Sequence, residues 1–293
     1  MQIYQQDIVS LIEPLSLFIA RLNRKDRHHV GYCGEDPEEI HSTLREDFAD
    51  AGEMDRWFTL LMDDKGDIRA ALGFNVDPDS RTAEIWGPFI EAEDEWSAIA
   101  EQLWATGMTK LEGQVDRMFG FYNEANQFAK RFILKKGGRR TGEHIVLRAE
   151  PSSSPSETSP HVVEFTPNYT EDFQELHDNA FPDTYYDAER ILKMLDQDRR
   201  LFVIVDQGQL AGYVYVEGDS DIQDGSIEYI AVSERYRRLG YGQSLLEKAL
   251  QFLFREVKAT EISLCVEYSN HAAIGLYNAT GFRTVHKLSS YVL

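Results

Sequence analysis

A stretch late in the chain, Ser233-Glu234-Arg235-Tyr236-Arg237-Arg238-Leu239-Gly240-Tyr241-Gly242, sets three arginines and two glycines in ten residues of a protein with formal net charge −20. An apolar run ends just before it, at Val232, and apolar residues at helical spacing begin just after it, near Gly242. The entry to a helix exposes unpaired N–H groups, and the helix dipole favours an anion there. Gly240 and Gly242 would let a ligand reach the backbone without a Cβ in the way. The arginines offer forked donors for phosphate. The pattern lacks the lysine of a Walker A loop and the third glycine of a dinucleotide fingerprint. Taken alone, it reads equally as a turn with solvent-facing arginines.

A second stretch follows: Asn270-His271-Ala272-Ala273-Ile274-Gly275-Leu276-Tyr277-Asn278-Ala279-Thr280-Gly281-Phe282. On a helix Tyr277 lies two turns beyond Asn270, so both side chains project on a similar face. Alone, Tyr277 would read as a core aromatic with a satisfied hydroxyl. The two stretches in this order, V-x-x-x-Y-R-x-x-G-x-G and then N-x-x-A-x-x-L-Y-x-x-x-G-F, resemble the GNAT superfamily of acyl-CoA-dependent N-acetyltransferases. The resemblance covers residues 161–293 well and the first half only weakly.

The resemblance implies acetyl-CoA as co-substrate and gives these residues roles. The strand at 227–232 would splay from its neighbour, leaving Ile230, Ala231 and Val232 to pair with the pantetheine arm as an added strand would. The amides of Arg237, Arg238, Leu239, Gly240, Tyr241 and Gly242 would wrap the pyrophosphate. Asn270 would bind the pantetheine arm, and Tyr277 would protonate the departing thiolate. A backbone N–H near Ile230 would steady the oxyanion.

The amine acceptor must lose a proton, so a base is useful. Glu228 is the candidate, because strand alternation gives it the parity of Ile230 and Val232. A solvent-facing or ion-paired carboxylate is the competing reading. Glu267 is the second choice. Phe181, Tyr185 and Tyr186 sit in a break between two helical stretches, where they either shape the acceptor pocket or simply pack. Cys265, in an apolar strand without a local histidine, reads as a core residue.

The elements that must position these residues follow from periodicity. Residues 149–160, Ala-Glu-Pro-Ser-Ser-Ser-Pro-Ser-Glu-Thr-Ser-Pro, cannot pack a core and read as an extended linker. The expected organisation is a first domain over 1–149, a linker over 150–160 and a catalytic domain over 161–293. The second domain reads β-α-α-β-β-β-α-β-α-β, a mixed α/β layer. The first echoes it. Asn126-Gln127-Phe128-Ala129, followed by Gly137-Gly138, matches Asn270-His271-Ala272-Ala273, followed by Gly281-Phe282, with equal spacing from Asn to Gly. The expectation is a diverged duplication, two tandem GNAT-like domains.

The first copy departs at two points. Glu91-Ala92-Glu93-Asp94-Glu95 stands where an arginine-glycine turn would be, and Ile133 stands where Tyr277 would fall. Carboxylates would repel a pyrophosphate, and isoleucine donates no proton. The first domain is therefore expected to be degenerate, completing the acceptor cleft or forming a homodimer surface.

Of 293 residues, 42% are hydrophobic, enough for ordinary cores. The net charge of −20 argues against nucleic-acid binding and suits a cationic substrate. The two cysteines, Cys33 and Cys265, have no CxxC spacing. His28, His29 and Cys33 are metal-type residues without a full ligand set and read as a surface loop. No metal is expected. Without an apolar span or a leader-like N-terminus, the expected location is cytoplasmic and off the membrane. The function expected is acetyl transfer from acetyl-CoA to a primary amine, of a small cation or a protein N-terminus. The rival is an acyl-CoA-binding sensor without turnover.

Overall fold

A computed structural model describes residues 2–4, 7–49, 54–153, 161–182, 184, 186–220 and 223–293. The chain forms two compact units: Met1–His144 with His286–Leu293, and Ile145–Val285. The borders differ from the expected 1–149 and 161–293 at both ends. Two strands each divide between the units, and the linker residues 154–160 lie outside the described residues.

In the first unit the elements are β1 (Gln2–Tyr4), α1 (Ile12–Asn23), α2 (Pro37–Thr43), α3 (Met54–Trp57), β2 (Phe58–Met62), β3 (Ile68–Asp77), β4 (Thr82–Ile90), α4 (Trp96–Leu111), β5 (Arg117–Asn123), α5 (Gln127–Lys135) and the start of β6 (Arg139–Ala149). Strands β1 to β4 pair antiparallel in sequence, and β4 pairs β5 in parallel. On its other edge β5 pairs antiparallel with the chain's last residues, Tyr122 opposite Ser289 and Phe119 opposite Val292. Leu15, Ile19, Phe58, Phe74 and Leu103 are buried in one core.

The second unit holds the end of β6, β7 (Val162–Glu164), α6 (Thr170–Ala180), α7 (Ala188–Met194), β8 (Arg199–Asp206), β9 (Gln209–Asp219), β10 (Asp224–Val232), α8 (Tyr241–Phe252), β11 (Ile262–Glu267), α9 (His271–Ala279) and the first residues of β12 (Arg283–Val292). The sheet order β11-β10-β9-β8-β7 is antiparallel except for β10 with β11. The class is mixed α/β, as the order of periodic segments predicts. Two cores form on the two faces of this sheet. One holds α8 through Leu245, Leu246, Ala249 and Leu250, all fully buried. The other holds α6 and α7 through Phe173 and Ile191. Burying each leucine of α8 contributes about 1.5–3 kcal/mol, which is what fixes the helix start beneath the end of β10.

Candidate active site

Strands β10 and β11 touch at a single register pair, Ser226 opposite Ser263, and then part. On its other edge β10 stays paired with β9 up to Val232 opposite Gly212. The backbone of β10 facing β11 is therefore open beside Ile230 and Val232. A cleft of about 2100 Å³ runs through this opening. Its walls include Glu228, Ile230, Arg238, Gly240, Asn270 and Tyr277, residues 40 or more positions apart in places and brought together by the splay.

At one end lies the turn into α8. Ser233 leads into a short 3-10 turn, Glu234–Tyr236, and Gly240 caps the helix in the left-handed region at φ 84°. Arg238 also has positive φ, 66°. No side chain caps α8, so among the described residues the first-turn amides of Tyr241, Gly242 and Gln243 have no intramolecular acceptor. The turn is pinned by the Tyr241 hydroxyl, which donates to Asp206 Oδ2 at 3.0 Å. Arg237 Nε donates to the Val232 carbonyl at 3.2 Å, and Arg235 lies over the Tyr236 ring.

The two glycines serve different needs. A Cβ on Gly240 would meet nothing, so its requirement is conformational rather than one of space. A Cβ on Gly242 would meet Leu276 Cδ2 at 3.0 Å, so this glycine lets α8 approach α9 closely. Leu239 points away, 57% exposed and not on the cleft wall.

Across the opening, α9 is capped by Asn270, whose Oδ1 accepts from the Ala273 amide at 3.1 Å. Asn270 also lines the cleft. Tyr277 is buried, packs its ring 5.5 Å from Phe282, and still reaches the cleft wall. Burial pushes its phenol up to about 12. The group thus stays protonated, able to donate a proton at any ordinary pH.

Glu228 is the extra residue of a β-bulge, because the register with β9 slips between Ile227 and Tyr229. The expected shared parity with Ile230 and Val232 does not hold. Those two pack toward the α8 core, whereas Tyr229 and Ala231 enter the α6–α7 core. Glu228 accepts a hydrogen bond from Ser226 Oγ, and Ser226 stands opposite Glu217 on the α6–α7 face. Although the carboxyl opens to the cleft, the walls desolvate it and raise its pKa. The Ser226 hydroxyl opposes that shift and Glu217 adds to it. The bulge thus sets a carboxylate on the opposite side of the splay from the α8 turn. Glu267 is exposed and turned toward Ser269, outside the cleft.

A comparison with known proteins gives a consistent reading. The acetyltransferase (GNAT) family model matches residues 164–282. An N-alpha-acetyltransferase of Sulfurisphaera tokodaii is 31% identical over 122 residues, 38% of this chain and 73% of that protein. The chain belongs to the GNAT family. As a GNAT protein it is an acetyltransferase. Whole-chain likeness is structural. A GCN5-related N-acetyltransferase from Sphaerobacter thermophilus superposes with a TM-score of 0.75 at 16% identity, over 100% of this chain and 95% of that one. A tandem GNAT protein from the clavulanic acid biosynthesis pathway reaches 0.65 at 13% identity, over 100% of this chain and 98% of that one.

Of the aromatic residues expected at the acceptor end of this GNAT unit, Phe181 lines the cleft. Tyr186 does not. It packs on Tyr229 and under Arg190, and Tyr185 lies outside the described residues. Sequence reading passed over His177, which organises this end. Fully buried, it donates from Nε2 to the Tyr186 carbonyl at 2.8 Å, leaving Nδ1 to accept from the Tyr213 hydroxyl at 2.5 Å. The only hint was a histidine on an apolar helix face. Replacing His177 with Phe leaves both partners unpaired, so unfolding in urea is expected to show a loss of about 1–3 kcal/mol.

Cys265, expected in a core, is exposed on the cleft wall instead, because β10 has parted from β11 there. Desolvation by the cleft walls raises the thiol to about 11, which suits neither a nucleophile nor a thiolate ligand.

The first unit repeats part of this design. Asn126 caps α5 by accepting from the Ala129 amide at 3.1 Å, and Gly137 and Gly281 share φ 95°. Ile133 occupies the position of Tyr277 and is fully buried. After β4, Glu91 is held by Arg69 at 2.9 Å and by Arg21 at 2.7 Å, and the Arg69 hydrogen bond leads in lowering its pKa. His28, His29 and Cys33 are buried, not on a surface loop. His29, Glu35 and His286 bring ligand-type atoms within 4.8 Å. The two imidazoles, however, stack at 3.8 Å and 20°, so an ion between them would lie off the plane of both lone pairs. Among the described residues, no helix is long and apolar enough to cross a membrane.

Proposed function

We propose that the second unit transfers the acetyl group of acetyl-CoA to the α-amine of a protein N-terminus, by direct attack in a ternary complex. The observation that carries this reading is the parting of β10 and β11 after one register pair, with a protonated phenol on one side and a bulged carboxylate on the other. The open edge of β10 suits the amide-bearing pantetheine arm, and the uncapped amides of α8 suit its diphosphate. The matched relatives' names favour an N-terminal α-amine over a small cationic amine.

Glu228 takes the proton of the incoming ammonium. The amine nitrogen attacks the thioester carbon, the C–S bond breaks as Tyr277 hands its proton to the leaving sulfur, and the second proton shed by the nitrogen as the amide forms restores the Tyr277 phenol. The first unit, with Ile133 for tyrosine, is non-catalytic. The test is acetyl-CoA consumption against peptides with free or blocked N-termini and against polyamines. Turnover with free N-termini alone supports the reading. Turnover with polyamines alone replaces the acceptor, and binding without any turnover removes the proposed transfer.

A pH profile examines the base. Glu228 is raised above the ordinary glutamate range, so its basic form is lost as pH falls through that raised value. The acid limb of kcat/KM is expected above the ordinary glutamate pKa. Glu228→Gln should lower kcat/KM about 100-fold and remove that limb; an unchanged profile would clear Glu228 of the role.

A further inference from the structure

The first unit has a groove equivalent to the one just described. Strands β4 and β5 pair in parallel only from Thr82 opposite Arg117 to Glu84 opposite Phe119, and then part. Beyond that point the β5 edge facing β4 has no strand from the sheet. The edge is nevertheless covered. Val30 forms an antiparallel bridge with Tyr122. Since β5 meets the C-terminal strand on its other edge at Tyr122, this bridge must lie on the side of β4, inside the splay.

The hydrogen bonds agree. The Gly31 amide donates to the Phe121 carbonyl at 2.7 Å, and the Asn123 amide donates to the His29 carbonyl at 3.2 Å. Alternate positions, Met118 of β5 and Glu124 just beyond it among them, bond instead to the chain's last residues. Asn126, the counterpart of Asn270, donates its Nδ2 to the His29 carbonyl at 3.3 Å. On the far wall the Tyr122 hydroxyl donates to the Gly87 carbonyl at 3.0 Å, closing the space between the strands.

The inserted segment is clamped from behind by Asn23 at the end of α1. Its Oδ1 accepts from the Val30 amide at 2.7 Å, and its Nδ2 donates to the Cys33 carbonyl at 2.7 Å. His29 donates from Nδ1 to the Asn23 carbonyl at 2.9 Å, and its ring stacks on His286. Val30 is fully buried, and His28, His29 and Cys33 are each 5% exposed. A Cβ on Gly31 would meet Phe121 Cδ1 at 2.5 Å, so the segment lies on β5 at glycine distance.

We infer that residues His28 to Cys33 are the resident ligand of the first unit's groove: a segment of this chain that fills the splay, bound through the backbone of His29 and Gly31 to β5, the wall corresponding to β11, before it turns between Val30 and Cys33. The splay takes an amide-bearing chain in both units, supplied internally in one and by acyl-CoA in the other. The chain therefore has a single acyl-CoA site. The comparison rests on the proposed function for the second unit; the occupancy of the first does not.

Two measurements on the full chain test this. Titration calorimetry with acetyl-CoA should give one site per chain, weakened about 30-fold in Gly240→Asp. Hydrogen exchange followed by mass spectrometry should show the Gly31 and Asn123 amides protected at least about 100-fold against open-chain rates, with no change when acetyl-CoA is added. Two sites per chain would overturn the inference. So would fast exchange at these two amides, or protection that falls as acetyl-CoA is added. If acetyl-CoA fails to bind at all, the proposed function falls, while slow exchange at Gly31 and Asn123 still upholds the resident segment.

Discussion

Tyr277→Phe is expected to lower kcat about 100- to 1000-fold while the dissociation constant for acetyl-CoA stays within about twofold. The substitution removes one oxygen and keeps the ring, so the packing on Phe282 survives. Among the described residues the hydroxyl has no hydrogen-bond partner, so its loss leaves no buried group orphaned. What disappears is a proton source held up at about 12 by burial. Expelling a thiolate without that proton is slower, and the deficit belongs in kcat. Steady-state kinetics beside calorimetry separates the two quantities. A variant with unchanged kcat would show that the thiolate leaves unassisted.

Gly240→Asp is expected to weaken acetyl-CoA about 30-fold. No protein atom lies within reach of an added Cβ, so steric conflict inside the protein is not the cause. Two other effects act. A non-glycine residue at φ 84° costs about 1–2 kcal/mol, which the loop relieves only by turning its amides away from the ligand. A carboxylate about 4 Å from a diphosphate, screened as in bulk water, costs about 1 kcal/mol more. Together these reach at least about 2 kcal/mol, or roughly 30-fold. Gly240→Ala isolates the backbone part and should lose about fivefold to 25-fold. Unchanged affinity in both variants would move the diphosphate away from this turn.

Much of the fold was legible because its signals are local. The arginine-glycine turn sits between a strand and an amphipathic helix, and the helix duly opens there, at Tyr241. Asn270 and Asn126 cap helices of like length, and each helix ends at a glycine in the left-handed region. Glu228 was chosen on alternation, and alternation failed at that residue. A bulge inserts one residue and flips the parity beyond it, and neighbouring side chains carry no sign of that. Cys265 was misassigned for a related reason: an apolar strand reads as buried on both faces, yet the splay opens a cleft on the side where β10 parts from it.

The sequence by itself determined the class, the family motifs and their order, since helix caps, turn glycines and period-two or period-3.6 patterns are properties of neighbouring residues. Only the tertiary structure decided which strands part, which carboxylate faces the opening, and that His28–Cys33 is buried between β4 and β5. It also decided that residues 286–293 complete the first unit's sheet rather than the second's. Those outcomes turn on which sheet edge is left free to pair. An edge is a relation between segments far apart in the chain, and its hydrogen bonds are made by backbone groups that every residue shares.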